Sequence, residues 1–297
     1  MRVAQLRRLV RDRLLLADLP SPDADATAIT ARAVGVPPSQ LALASDPVQA
    51  MVDRALELAD RRAARVPLQH LLGTAGFRTI ELAVGPGVFV PRPETEVPVG
   101  EVLARLELDR EDAPAGRQPQ IVVDLCSGSG AVALAIAAEA PGVHVFAVER
   151  EDDAFAWLRR NCAALPGVTA VQADATRVGL PGTPLAELAG RVAAVACNPP
   201  YIPADCVPRD PEVAEHDPVA ALYGGADGLD VVRGVLRPAA ALLRRGGVLA
   251  IEHGDAQGVA AGPLGVPATV VAAAEFHEVQ DVEDLTGRPR VTLARRR

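Results

Sequence analysis

From residue 121 onward, short apolar runs of strand length alternate with segments of helical periodicity, and this alternation narrows the fold more than any other feature. "IVVDLCSGSGAVALAIAAEA" reads as strand, glycine turn and helix; "VHVFAVER" is a second strand, "DDAFAWLRRNCAAL" a helix and "VTAVQAD" a third strand. The fourth strand is "VAAVACNPP". The helix "GLDVVRGVLRPAAALL" follows, then a fifth strand in "GGVLAIEHG" and two more in "ATVVAAAEF" and "RVTLARR". Strands alternating with helices predict an α/β fold built on a doubly wound, mostly parallel sheet. Its ligands belong outside the carboxyl ends of the strands, near the reversal in strand order.

The preceding residues follow another pattern. "LRRLVRDRLLLADL" puts Leu6, Leu9, Val10 and Leu14 on one helical face. Ser21 with Pro22, and Asp46 with Pro47, read as the cap and first residue of two further helices. A small helical bundle over 1–72 is expected. "GFRTIELAVGPGVFVPRPETE" alternates and carries Gly-Pro-Gly, so 73–93 reads as a linking β-hairpin. The third domain is 94–297, opening with a helix from about Glu94 to Leu108 and a polar surface loop in "DREDAPAGRQPQ".

The chain has 297 residues and a formal charge of −8, and all 30 of its basic Lys+Arg side chains are arginine. That charge argues against stable binding to nucleic acid through phosphate contacts. Its four cysteines, Cys126, Cys162, Cys197 and Cys206, form no C-x-x-C pair, so neither zinc nor a disulfide framework is indicated. No apolar run is long enough to span a bilayer, and the N-terminus lacks a signal-peptide core. A cytoplasmic protein with reduced thiols, no metal and no membrane contact is expected.

In "DLCSGSGAVALA", Gly128 and Gly130 allow a sharp turn and a close backbone approach to a ligand where the next helix starts. Glu149 ends the second strand about twenty residues on, where a carboxylate receives ribose hydroxyls. A nicotinamide dinucleotide and a turn with no ligand are both compatible with this pattern. Asp124 favours a third reading, because a negative charge beneath the glycines repels a pyrophosphate and welcomes a cation. S-adenosylmethionine carries an ammonium and a sulfonium, and Asp174 at the end of the third strand stands on the side expected for its adenine.

The end of the fourth strand faces a cofactor bound over the first, and there the chain reads Asn198-Pro199-Pro200-Tyr201. One proline suffices to stop a strand. An amide nitrogen is a poor nucleophile because its lone pair is delocalised. A site that methylates it must hold the NH2 by both hydrogens. The Asn198 side-chain oxygen can accept one and the Pro199 carbonyl the other, while Tyr201 packs against the planar group. Catalysis is then positioning and electrostatics. Cys197 reads as a small buried residue, and His216 and His253 as structural.

"DLCSGSGAVALA" and "NPPYIP" resemble the class I S-adenosylmethionine-dependent methyltransferases of planar nitrogen, Rossmann-like with a seven-stranded, mostly parallel sheet. More narrowly, "PLQHLLGTAGF", "GPGVFVPRPETE", "EHDPVAAL", "GADGLDVVRGV", "EHGDAQG" and "GRPRVTLARR" resemble the HemK/PrmC family. That family methylates N5 of the glutamine in the Gly-Gly-Gln motif of class I peptide-chain release factors, leaving S-adenosylhomocysteine. The resemblance implies that Asp124, Cys126, Ser127, Gly128, Ser129, Gly130, Glu149, Asp174, Ala175 and Asn198 bind the cofactor. It further implies that Asn198–Tyr201 hold the glutamine amide and that Phe89, Arg92 and Glu94 line the substrate cleft. A third glycine is usual where this chain has Cys126. Alternatives are a DNA amino-methyltransferase, a glutamine methyltransferase of a ribosomal protein, and a non-enzymatic binder of the cofactor.

Overall fold

The computed structural model describes residues 1–111 and 119–297. The chain divides into two compact units: 1–75 with 84–86 and 208–216, and 76–83 with 87–207 and 217–297. In the first unit, α1 (Val3–Leu16), α2 (Pro22–Val34), α3 (Gln49–Ala63) and the short α4 (Leu68–Leu72) follow one another. Leu6, Val10 and Leu14 of α1 close on Ile29 of α2 and on Val52, Ala55 and Ala59 of α3. Leu9, expected on that face, is 40% exposed: the buried stripe runs Val3, Leu6, Val10, Leu14, the i, i+3, i+7, i+11 row. Pro22 opens α2 after Ser21 as expected, although the Ser21 side chain makes no capping hydrogen bond. Asp46 does not cap α3, which starts three residues later behind Val48, with Pro47 buried and Asp46 exposed.

Strands β1 (Thr74–Phe77) and β2 (Ile80–Ala83) form a two-stranded sheet shorter than the predicted hairpin. Helix α5 (Glu96–Glu111) extends into the stretch read as a loop, and the rest of that loop, 112–118, lies outside the described residues. Then come β3 (Ile121–Leu125), α6 (Ala131–Glu139), β4 (His144–Glu149), α7 (Asp152–Cys162), β5 (Val168–Gln172) and β6 (Val192–Cys197). Helix α8 (Pro211–His216) belongs to the first unit. The second resumes with α9 (Val219–Leu222), α10 (Asp230–Leu242), β7 (Leu243–Glu252), α11 (Val266–Ala272), β8 (Phe276–Glu283) and β9 (Pro289–Arg296).

The seven strands lie in the order β5-β4-β3-β6-β7-β9-β8, and β9 runs antiparallel to both neighbours. This is the class I methyltransferase sheet. "ATVVAAAEF" was expected to hold the sixth strand, yet it forms most of α11, and the strand begins only at Phe276. Gly265 precedes the helix, Pro267 sits in its first turn, and the buried Val266 and Val270 stand one helical turn apart. A five-residue apolar run cannot by its period alone choose between the two structures.

Helices α6 and α7 pack on β4 and β5, and α10 packs on β6 and β7; the right-handed rule for parallel crossovers puts the two sets on opposite faces. The order reverses between β3 and β6, which pair in parallel with Leu125 opposite Cys197. Both strands are apolar along nearly their whole length, as a sheet covered on both faces requires. The glycine turn after β3 and Asn198 after β6 therefore emerge side by side.

One polar residue fastens this region. Asn161 lies on the buried face of α7 with Ala154 and Leu158. Its Nδ2 donates to the Ser129 carbonyl at 2.9 Å and the Ala83 carbonyl at 3.0 Å, and its Oδ1 accepts from the Ala83 N–H at 2.8 Å. Asn161→Ala strands these groups in the interior and is expected to lower unfolding stability by about 3 kcal/mol, read from urea denaturation.

Candidate functional site

The chain leaves β3 through a strained turn. Cys126 has φ +61°, in the left-handed region where a β-carbon costs about 1 kcal/mol. This explains why glycine suits the position. Gly128 (φ +55°) and Gly130 (φ +90°) continue the turn, and α6 begins directly after Gly130. Ser127 donates its hydroxyl to the Asp124 carbonyl at 2.9 Å and its N–H to the Val148 carbonyl at 2.9 Å.

Asp124 does not face outward beneath the glycines; it is buried, and its Oδ2 accepts the Ala133 N–H of the first turn of α6 at 3.2 Å. Burial pushes its carboxyl up to about 7, although the bonds from Ser127 and Ala133 pull it down. Glu149 closes the other side. Its Oε2 accepts the Gly128 N–H at 2.9 Å, and its Oε1 accepts those of Arg150 at 2.7 Å and Glu151 at 2.8 Å. Asp174 accepts from the Thr176 N–H and hydroxyl and so caps the short turn at Ala175–Arg177, in which Ala175 is buried. Asp124, Cys126–Gly130 and Glu149 are thus brought into one knot, with Asp174 at the end of the next strand but one.

At the end of β6, Asn198 donates its Nδ2 to Thr95 Oγ1 at 3.2 Å. Thr95 and Asn198 also lie in hydrogen-bond reach of the Glu252 carboxylate, and burial raises that carboxyl to about 7. An ionised carboxylate only accepts, so the Thr95 hydroxyl donates to Glu252 and must receive from Asn198. While Glu252 is ionised this fixes the amide: nitrogen toward Thr95, oxygen away from it. The Pro199 carbonyl takes no N–H from any described residue.

The backbone after Pro199 is clasped from behind. Ile202 exchanges hydrogen bonds with Leu222 (2.8 Å) and Gly224 (2.9 Å), and Gln257 Nε2 donates to the Tyr201 carbonyl at 2.9 Å. A β-carbon on Gly224 would come within 2.4 Å of the Pro200 carbonyl oxygen, and one on Gly228 within 2.2 Å of that of Tyr201. Burial raises the Tyr201 phenol far above its ordinary value, so it stays neutral.

Of the "PRPETE" residues, Arg92 packs 5.1 Å over the Phe89 ring and pairs with Asp217 at 2.7 Å. Glu94 is half-buried and its charge is felt by both Glu252 and Tyr201. Glu96 instead turns back to Arg78. The segment reaches Asn198 through Thr95, which the sequence reading passed over, as it did Glu252 and Asn161. The signals were there: a carboxylate in the apolar run "VLAIEH", and an asparagine on the apolar face of α7. His253 is fully buried and kept neutral by desolvation, with Nδ1 3.0 Å from the Gly254 carbonyl oxygen and Nε2 3.3 Å from Asp281. His216 ends α8 in the first unit. Cys197 is buried, and its thiol is pushed up by desolvation. Among the described residues, no group of three His, Cys, Asp or Glu can hold a metal ion, and no helix is long and apolar enough to cross a membrane.

Two measurements follow from this geometry. Gly228→Ala combines a left-handed backbone with a clash against main chain. It should destabilise well beyond Gly142→Ala, where φ is +88° but nothing lies within 4 Å of the added carbon; urea midpoints compare them. Between pH 3.8 and about 7 the folded protein keeps on Asp124 a proton that the unfolded chain has released. Through Asp124 alone, raising pH across this window weakens the fold by about 1.4 kcal/mol per unit, and that contribution levels off above it. Asp124→Asn should remove that increment from thermal melts of the ligand-free protein, leaving the parallel slope contributed by Glu252, whose carboxyl is also raised to about 7.

Comparison with known proteins places this geometry among relatives. Residues 5–73 match the family model described as the PrmC N-terminal domain. The chain is 43% identical over 286 residues to the release factor glutamine methyltransferase of Streptomyces coelicolor, covering 96% of this chain and 94% of the relative. The enzyme of the same name from Mycolicibacterium smegmatis is 41% identical over 287 residues, with 95% and 94% covered. A 4-amino-L-phenylalanine/4-methylamino-L-phenylalanine methyltransferase of Streptomyces pristinaespiralis is 42% identical over 198 residues, which covers 66% of this chain and 64% of that protein. With identities of this size over nearly its full length, the chain belongs to the release factor glutamine methyltransferase family.

Proposed function

We propose that this enzyme transfers a methyl group from S-adenosylmethionine to the side-chain amide nitrogen of the glutamine in the Gly-Gly-Gln motif of class I release factors. The observation that carries the reading is the pair of acceptors at the end of β6: an Asn198 amide with its nitrogen tied to Thr95, and a Pro199 carbonyl that no described N–H occupies.

The residues fit the cofactor. Asp124 is a buried carboxyl whose ionised form lacks a counter-charge, which a bound cation would supply. Open space lies beyond Gly128, where an added β-carbon would meet nothing within 4 Å. Glu149 is held rigidly by three backbone N–H groups and keeps lone pairs for hydroxyl donors. In this reading Asp124, Cys126–Gly130, Glu149, Asp174 and Ala175 hold the cofactor, which supplies an electrophilic methyl group on a positively charged sulfur. Asn198 Oδ1 and the Pro199 carbonyl each accept one hydrogen of the substrate NH2 and so orient the nitrogen's lone pair. Pro199 and Pro200 fix the main chain that aims this carbonyl. Tyr201, neutral and half-buried, offers a face to the planar amide, and Phe89, Arg92 and Glu94 line the approach. The effect asked of these groups is orientation, which is worth several kcal/mol when a weak nucleophile must meet a fixed carbon.

An aromatic amine poses the same problem of a delocalised nitrogen, and the Streptomyces pristinaespiralis relative bears the name of an enzyme for one. The match of residues 5–73 to the PrmC N-terminal domain supports the protein substrate instead. The test is transfer of labelled methyl to a purified class I release factor, to the same factor with its Gly-Gly-Gln glutamine changed to alanine, to duplex DNA and to 4-aminophenylalanine. Label on the intact factor alone is expected. Label on DNA or the amino acid, with none on the factor, would replace the reading. Asn198→Ala should reduce transfer by about 100-fold or more while retaining more cofactor affinity than Glu149→Ala, measured by calorimetry.

A further inference from the structure

Glu252 is the one buried acid beside Asn198 that the mechanism above does not use. It ends β7, is 2% exposed, and its Oε2 has no hydrogen-bond partner among the described residues. We infer that Glu252 is a positioning residue: through Thr95, and by its own reach to the Asn198 amide, it sets which end of that amide faces the substrate, and it does so only while ionised. The inference rests on the reading that Asn198 holds the substrate amide.

The argument is one of donors and acceptors. A carboxylate has no proton, so each hydrogen between it and Thr95 or Asn198 must come from them. Thr95 has one hydroxyl hydrogen, and with that given to Glu252 its oxygen can only accept from Asn198 Nδ2, 3.2 Å away. The Asn198 amide then has a single allowed orientation, with Oδ1 free to accept. Protonating Glu252 lifts the restriction. A carboxylic acid can donate to Thr95, whose hydrogen is released to seek the Asn198 oxygen, and both amide orientations become acceptable. In the flipped one, Asn198 presents an NH2 to an NH2, and the substrate hydrogen loses its acceptor.

The surroundings put this change within ordinary pH. Burial is the largest influence and lifts the Glu252 carboxyl to about 7. Thr95 and Glu94 face it from the turn at Pro93–Thr95, Asn198, Cys197 and Tyr201 from the end of β6, and Arg290 from β9. Arg290 favours the charged form and Glu94 opposes it, and Arg290 is itself held by Asp284 at 3.3 Å. Asp124 has a similar raised value on the other side of the strand pair, so its contribution must be separated by variant.

The experiment follows kcat against pH from 5.5 to 8.5 at saturating cofactor and release factor, together with the 15N-edited resonances of the Asn198 side-chain amide in the free enzyme. The wild type should lose turnover below about pH 7, and the Asn198 amide should titrate over the same range. Glu252→Gln should abolish both the acid limb and the Asn198 titration and lower the plateau kcat by about 100-fold with little change in KM. In Asp124→Asn, read in the free enzyme, the Asn198 amide should titrate as in the wild type. Thr95→Val should lower kcat in the same direction as Glu252→Gln, and Thr95→Ser should restore most of the loss. Wild-type plateau and limb in Glu252→Gln, or an Asn198 amide that ignores pH in the wild type, would overturn the relay even if the factor is methylated. A factor left unmethylated while the amide titrates with Glu252 would instead overturn the substrate reading and leave the relay standing.

Discussion

Two parallel strands ending side by side impose the constraint on which the rest depends. With Leu125 opposite Cys197, the main chain must leave β3 and β6 at neighbouring points in a covered sheet, where unpaired polar groups are expensive. Each exit is solved differently. The first coils through left-handed residues so that its N–H groups meet the Asp124 and Glu149 side chains. The second stops donating, because Pro199 and Pro200 have no N–H to satisfy. One exit gathers donors, the other exposes acceptors, and a methyl donor and a methyl acceptor need those opposite surfaces.

Low dielectric then sharpens both. Asp124 and Glu252 are carboxyls sealed beneath the two exits, each lifted by desolvation to the same range. Among the described residues neither meets a cation in a direct ion pair, unlike Arg62 in the first unit, where the buried guanidinium meets Asp25 at 2.7 Å and Glu212 at 2.9 Å. Buried charge without a partner destabilises a fold. It sits where ligands carrying complementary groups are proposed to bind.

The sequence disclosed the architecture through periodicity and the site through punctuation. Alternating strand and helix patterns led to the sheet, and Gly128, Gly130, Pro199 and Pro200 marked where it is left. What stayed hidden depends on partners far along the chain. Thr95 sits between two glutamates that draw more notice, and its value appears only when β6 and β7 bring Asn198 and Glu252 to it. Asn161 looked like one more polar helix residue until the fold put it inside. The helix at Val266–Ala272 was missed because valine-rich runs suit both structures, and packing against β8 and β9 decides between them.

Asn161 also ties three separate pieces into one mechanical element. The same side-chain amide holds both main-chain groups of Ala83 and the carbonyl of Ser129 inside the glycine turn. The end of β2 and the turn therefore cannot open independently, since either movement breaks a bond of the other. In amide hydrogen exchange, the Ala83 N–H becomes a remote gauge of the turn, releasing its proton to solvent only when Asn161 lets both segments go.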